Sequence, residues 1–393
     1  MNQKYLRFIK QPKILAILIF IFFLSVNFLS SAGKTPYDYF SRLAQAFLSC
    51  RYWLTENPPW LSELIPAEGG KFYTVYPPMP ALILTPFVFI FKEKFEQQYL
   101  AHILGALIAV LAFQISLKIK KDTKLAVWSA FLAGAGNIIW FLASVGSAWY
   151  LGQVTSCFFL LLAINEILGQ KRAFVTGLFI GAAYLSRIHT ILSLPFFLFL
   201  LNSPQKSFRE TLKLGLGILP FFLFNSFYNY LRFGTILDRG YALIPGIFEE
   251  PWYQNGLVSL AYIPSHLKII FLGLPKIKQS FPYLIPSWGG MAIWLTTPAF
   301  IFSLAAPFKE KPVRFAWLAI FFIALLVFCH GGTGFSQFGY RYAVDFYPFL
   351  IYLTIKGVAR KGLKKKHWLL LALSVLVNLW GVIWINKFGW VEF

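Results

Sequence analysis

The chain of 393 residues is 58% hydrophobic and 19% aromatic with only 13% charged residues, and a mean hydropathy of +0.63 excludes an ordinary soluble globular protein. An excess of 36 Lys and Arg over 15 Asp and Glu gives a net charge of +21. These charges fall in short clusters between apolar runs, as in loops that face anionic lipid, which speaks against a nucleic-acid partner and for an integral membrane protein.

The N-terminal segment carries Lys4, Arg7, Lys10 and Lys13 ahead of the apolar run 14–31. It resembles a signal sequence, with Ser30-Ser31-Ala32 as a weak cleavage site. Because the rest of the chain is equally apolar, it reads as an uncleaved first span with its N-terminus in the cytoplasm. Further basic clusters lie at Lys118/Lys120/Lys121/Lys124, Lys171/Arg172, Lys206/Arg209/Lys213, Lys309/Lys311/Arg314 and between Lys356 and Lys366. If all of them share the cytoplasmic side, an even number of crossings separates each from the next. The apolar runs then predict spans at 14–31, 99–117, 125–143, 150–168, 174–186, 189–201, 214–230, 288–306, 315–329, 343–357 and 367–385. That is an all-α polytopic membrane protein of about eleven helices, N-terminus in and C-terminus out, with long outer loops at 32–98 and 231–287.

Residues 78–91 hold Pro80 and Pro86 and fall short of the ~20 apolar residues a span needs, so they predict a re-entrant or interface-lying helix. The run 174–201 has Arg187 and His189 at its middle and reads as two short helices meeting at Ser186-Arg187-Ile188-His189, where irregular backbone would line protein or a watery cavity. No internal repeat is visible, so residues 1–393 form one domain. Cys50, Cys157 and Cys329 make neither a disulfide framework nor a zinc-binding spacing.

After Pro36 the periodicity predicts an amphipathic helix, with Phe40, Leu43, Phe47 and Leu54 on one face and Asp38, Arg42, Gln45, Ser49 and Tyr52 on the other. Such a helix would lie on the outer membrane surface with Asp38 near its start, facing away from lipid. Asp38 has two readings. Thr35-x-x-Asp38 with Pro36 looks like a helix cap, whereas a carboxylate beside the Pro- and aromatic-rich runs 57–60 and 71–80 could serve chemistry. Cationic and polar groups recur at outer or mid-membrane level at Arg187/His189, Arg232, Asp238/Arg239 and Gln337/Tyr340/Arg341/Tyr342/Asp345. Ionisable groups at membrane depth cost ~2.5–3.5 kcal/mol on insertion scales, so they commonly line a cavity, and a carboxylate opposed by several cations suits a phosphate-bearing ligand.

Each cation also has a structural reading. Arg187 would bond a backbone carbonyl at the helix break, Arg341 would pair with Asp345 at i,i+4, and Arg232 and Arg239 would anchor at the interface with Asp238 as a local partner. Glu56, Glu63, Glu68, Glu249 and Glu250 read as solvated, any of them able to act as a second acid. His102, His266, His330 and His367 show no ligand spacing. No P-loop, GxGxxG, GxSxG or HExxH is present, which excludes a soluble nucleotide-using or hydrolase domain.

Five stretches, Tyr37-Asp-Tyr-Phe-Ser-Arg-Leu43, Tyr76-Pro-Pro-Met-Pro80, Gly177 to Arg187, Asn229 to Tyr241 and Phe338-Gly-Tyr-Arg-Tyr342, resemble in order and placement the multispanning lipid-phosphosugar-dependent glycosyltransferases. This GT-C class includes protein O-mannosyltransferases and the aminoarabinose transferases of lipid A. The resemblance implies about a dozen helices, membrane-lying helices in the first outer loop, an outward-facing cavity and a polyprenyl-phosphate-linked sugar donor. It implies Asp38 as the catalytic acid and Arg187 and Arg341 on the donor phosphate, with Arg232 or Arg239 as further phosphate ligands. Tyr37, Arg42, Tyr76, His189, Asp238 and Tyr340 would line the cavity or meet the acceptor. Many relatives carry an Asp-Glu pair where this chain has Asp38-Tyr39, which leaves open the base role and the use of a divalent metal. The expected reaction is inverting sugar transfer to a lipid, glycan or protein acceptor at the outer face of the plasma membrane. The alternative is a transporter or flippase of lipid-linked sugars, which would be marked by inverted repeats and a midplane site.

Overall fold

The structure is a computed structural model that describes residues 11–201 and 207–392; Lys4, Arg7, Lys10 and Lys206 of the basic clusters lie outside the described residues. The first part of the chain runs α1 (Pro12–Leu29), α2 (Tyr39–Leu48), the strands β1 (Leu64–Ala67) and β2 (Lys71–Thr74), α3 (Met79–Phe91), α4 (Gln97–Ile119), α5 (Thr123–Gly134), α6 (Ile139–Val145) and α7 (Ala148–Ile167). It continues through α8 (Ala173–Tyr184), α9 (Leu194–Leu201), α10 (Ser207–Phe233), α11 (Ile263–Leu272), α12 (Ile293–Thr296), α13 (Lys311–Phe328), α14 (Tyr347–Lys361) and α15 (Lys365–Phe388).

Among the described residues six helices, α1, α4, α7, α10, α13 and α15, are long and apolar enough to cross a membrane, and the pair α5 and α6, bent by 54°, would make a seventh. The chain is therefore a helical multi-pass membrane protein, but eleven spans are not confirmed. The run 288–306 makes only the single turn α12 before a 3-10 segment, Pro298–Ala305, because Pro298 has no N–H with which to continue the helix. The run 343–357 begins as a 3-10 turn, Arg341–Asp345, and only then becomes α14. The run 125–143 breaks at Asn137, whose side chain donates to the carbonyls of Leu132 (2.6 Å) and Ala133 (3.2 Å) and accepts from the amide of Ile139 (2.9 Å). The expected break after α8 is present, with a 3-10 segment at Ile188–Ser193 between α8 and α9.

The two ends of the helix assembly differ in charge. At one end Lys120 donates to the Ala359 carbonyl (3.3 Å), Lys118 to that of Asn165, Arg172 pairs with Glu166 (2.9 Å) and Lys356 with Glu310, so the basic clusters before α5, α8, α13 and α15 gather there. At the other end Lys387 and Asn386 of α15 bond the carbonyls of Ser31 (2.7 Å) and Ser30 (2.9 Å) after α1. α4 and α7 are buried along most of their length, whereas α10 exposes Phe222, Leu223 and Phe227. α8 and α10 cross where Gly177 meets Gly217. A Cβ on either would lie 2.2 Å from a backbone oxygen of the other helix, so only glycine permits this approach.

The loop between α1 and α4 is packed rather than draped. β1 and β2 pair antiparallel with Leu64 opposite Thr74 and Ala67 opposite Lys71, turning at Gly69 and Gly70 with φ of +72° and +68°. These strands and a second short hairpin interrupt the otherwise helical chain. α2 buries Tyr39, Phe40, Leu43, Ala44 and Ala46 and packs on α3, so its apolar face is covered by protein.

Candidate active site

Two buried glutamines at the start of α4 hold the segment that leads into α2. Gln97 accepts from the amide of Phe40 (3.2 Å) and donates to the carbonyls of Tyr37 (3.1 Å) and Gly146 (2.8 Å), and Gln98 accepts from the amide of Thr35 (3.3 Å). Sequence reasoning passed over both. A polar pair at the head of an otherwise apolar helix was the available signal. The Tyr37 ring packs on Trp149 with centroids 4.5 Å apart.

Asp38 occupies the N-cap position of α2, but its side chain makes no capping bond. Its Oδ1 accepts instead from Arg42 Nε at 2.8 Å, and Arg42 Nη1 reaches Glu56 at 3.0 Å. Asp38 and Arg42 therefore face a polar cleft of about 260 Å3 that also takes in Lys34, Glu56, Glu93 and Glu96. Asp38 does not line the cavity that holds the arginines.

That second cavity lies between α2, α7, the break after α8 and the turn before α14, and is lined by Tyr76, Trp149, Arg187, Tyr241, Arg341 and Tyr342 among others. It is narrow, about 20 Å3, room for roughly one water molecule. Arg187 enters it from extended backbone (φ −149°, ψ 101°) at the helix break. Its partner is the fully buried carboxylate of Asp345, at 2.9 Å from Nη2 and 3.3 Å from Nε, with His189 Nε2 on the same carboxylate at 2.8 Å. Arg187 thus pairs with a distant carboxylate rather than a local carbonyl, and His189 is satisfied by that carboxylate.

Arg341 is 5% exposed. Its main chain is pinned by Gln337, which accepts from its amide (2.9 Å), and by Gln153, which donates to its carbonyl (2.9 Å). Its guanidinium stacks 4.6 Å from the Tyr342 ring and touches Gln153 Oε1 at 3.5 Å. Nε has no hydrogen-bond partner, and no carboxylate lies within ion-pair distance of Arg341 among the described residues. A buried guanidinium left in this state is a ready site for an anion.

The charge of Arg341 is felt by Glu63, which reads as solvated from sequence and is instead partly buried. Its Oε2 accepts from Trp149 Nε1 (3.0 Å) and from the Tyr76 hydroxyl, and its amide donates to the Tyr39 hydroxyl (3.0 Å). Burial pushes the Glu63 carboxyl up to about 7, with the Trp149 hydrogen bond and the charge of Arg341 holding it from rising further. Glu63 is invisible to pattern reading because its partners come from α2, α7 and the far side of the hairpin.

The remaining candidates lie elsewhere. Arg232 is a structural clamp: it donates to the carbonyls of Thr74 (2.5 Å) and Tyr228 (3.3 Å) and to Asn229 Oδ1 (2.7 Å), is packed on the Tyr228 and Phe233 rings, and is not among the residues that line the arginine cavity. Arg239 and Asp238 are exposed, Asp238 accepting from the Gly240 amide (3.0 Å). Tyr340 is buried behind the cavity, bonded to His266 Nδ1 at 2.6 Å. Among the described residues no three His, Cys, Asp or Glu side chains come together in a metal-binding arrangement.

No known family model matches the chain, nor does any curated protein. Among solved structures it is similar to the oligosaccharyltransferase of Archaeoglobus fulgidus in the apo form (TM-score 0.52, 14% identity) and to ArnT of Cupriavidus metallidurans bound to undecaprenyl phosphate (TM-score 0.53, 14% identity). The matches cover 94% and 92% of this chain but only 55% and 62% of those proteins, so the chain spans less than two thirds of either. At this identity the likeness is one of fold alone, shared with that oligosaccharyltransferase and with ArnT.

Proposed function

We propose that this protein transfers a sugar from a polyprenyl-phosphate-linked donor to an acceptor hydroxyl, with inversion, at the outer face of the plasma membrane. The observation that carries the reading is Arg341, a buried guanidinium without a carboxylate partner in a cavity of a GT-C-type fold. As the bond from the sugar's anomeric carbon to the phosphate oxygen breaks, the electron pair stays with the phosphate. Arg341 stabilises that growing charge, while Arg187 adds a fork held in place by Asp345. A sugar phosphate is larger than the cavity, so donor binding parts the aromatic wall of Tyr76, Tyr241 and Tyr342. Support for the outer face comes from α8, which runs from the basic pair Lys171/Arg172 at its start to the break at Arg187 at its end, the basic end being cytoplasmic by the positive-inside rule.

The polar cleft around Asp38 takes the hydrophilic part of the acceptor. Paired with Arg42 through one oxygen, the Asp38 carboxylate offers the cleft a hydrogen-bond acceptor suited to holding a hydroxyl of the acceptor. Whether the acceptor belongs to a lipid, glycan or protein is decided by the product.

The test is reconstitution of purified protein with undecaprenyl phosphates carrying radiolabelled hexoses or pentoses, together with cell-envelope lipids, glycans and peptides. Label should move covalently to one acceptor class, and transfer should collapse in Arg341→Gln and Asp38→Asn. Translocation of intact donor without bond cleavage would establish the flippase reading instead.

A further inference from the structure

The hairpin places two residues side by side across the arginine cavity wall. Leu64 lies opposite Thr74, so Glu63, just before β1, and Tyr76, just after β2, are brought together. Tyr76 lines the cavity with Trp149 and Arg341, and its hydroxyl donates to Oε2 of Glu63, which lies behind that wall. Trp149 donates to the same oxygen (3.0 Å), and the Tyr39 ring braces Tyr76 edge-on at 5.1 Å. Glu63 makes no ion pair with a Lys or Arg among the described residues. A carboxylate held by two neutral donors, one of which faces the proposed reaction space, is arranged to receive a proton.

We propose that Tyr76 and Glu63 form the proton outlet of the transfer: the Tyr76 oxygen takes the proton of the acceptor hydroxyl while its own proton passes to the Glu63 carboxylate. This rests on the transfer reaction proposed above. The acceptor oxygen bonds the anomeric carbon, the bond from that carbon to the phosphate oxygen breaks, and its electron pair leaves on the phosphate. Tyr76 ends neutral, Glu63 ends protonated, and water removes that proton before the next turnover. Asp38 then positions the acceptor and Glu63 receives its proton, so the two carboxylates have separate duties. The groups facing Glu63 are Tyr39 from α2, Trp149 from α7, Tyr76, Arg341, and Tyr241 and Tyr253 from the loop 231–287. With the carboxyl held at about 7, it both accepts and returns a proton near neutral pH.

The experiment is kcat/KM against pH from 5 to 9 for the full-length protein in nanodiscs, with undecaprenyl phosphates carrying radiolabelled glucose, mannose or arabinose. Wild-type activity should fall on the acid side of about pH 7. Glu63→Gln should lower it by about 10²–10⁴-fold and abolish that acid limb. Tyr76→Phe should fall comparably, and Glu63→Asp should keep part of the rate with a displaced limb. Glu63→Gln at the wild-type rate, or slowed with the acid limb unmoved, would overturn the relay while leaving sugar transfer standing. A wild-type protein that transfers none of the sugars would sink both the relay and the reaction on which it rests.

Discussion

Asp345 takes Arg187 at 2.9 Å and leaves Arg341 unpaired, although Arg341 lies four residues before it on the same turn. The reason is local geometry. Residues 341–345 form a 3-10 turn of three residues per turn, in which positions i and i+4 point apart, whereas the α-helical pairing assumed from sequence needs 3.6. One guanidinium of the cavity is therefore held in place by a carboxylate, and the other has no carboxylate partner among the described residues.

The buried pair makes a stability prediction. Asp345→Asn strands the Arg187 charge in a mostly buried position and should cost ~3–5 kcal/mol, seen as a lower melting temperature in detergent. Adding Arg187→Leu should recover part of the loss. A double variant that melts below Asp345→Asn alone would argue against charge pairing as the cause.

Arg341→Gln should fold normally, because no ion pair depends on the guanidinium, and lose about 10²–10³-fold in kcat with a smaller change in donor KM. Arg341→Lys should recover only part of that rate, since an ammonium keeps the charge but not the planar fork. The check is steady-state kinetics beside a thermal melt.

Arg232 should behave in the opposite way. Arg232→Gln removes bonds to the Thr74 and Tyr228 carbonyls and should destabilise the protein by ~1–3 kcal/mol while the folded fraction keeps its specific activity. Lost transfer at an unchanged melting temperature would return Arg232 to the reaction site.

Glu63 couples function to stability through pH. Its folded value of about 7 lies above its ordinary value of 4.5, so the folded state binds the proton more tightly than the unfolded state does. That contribution is fully present below pH 4.5 and is lost as pH rises through 7. Glu63→Gln, which still accepts from Trp149 and Tyr76, should match wild type near pH 4.5 and exceed it by ~1–3 kcal/mol at pH 8.5. Melting temperatures across that range measure the difference directly.

The helical membrane class, the break at Arg187 and the short helix after Tyr76 were all legible from one-dimensional signals: apolar runs, charges within them, and proline positions. The expectations that failed depended on what lies across space. Arg232 looked like an interfacial cation until Thr74 and Tyr228 took its donors. Glu63 looked like one of five solvated loop acids until the β1–β2 register set it beside Tyr76 and Trp149. The runs 288–306 and 343–357 had the apolar content of spans, but hydropathy does not distinguish a continuous α-helix from 3-10 segments.

Composition and the spacing of charges by themselves determined that this chain lives in a membrane, which end of its helices is basic, and that a few ionisable groups sit where burying them is costly. These follow from transfer free energies, which are properties of segments. Which carboxylate meets which guanidinium was decided only by the tertiary structure. An ion pair or a hydrogen bond reaches about 3 Å, and residues 63, 149, 187, 341 and 345 come within such reach of their partners only when α7, the hairpin and the two helix breaks are packed together.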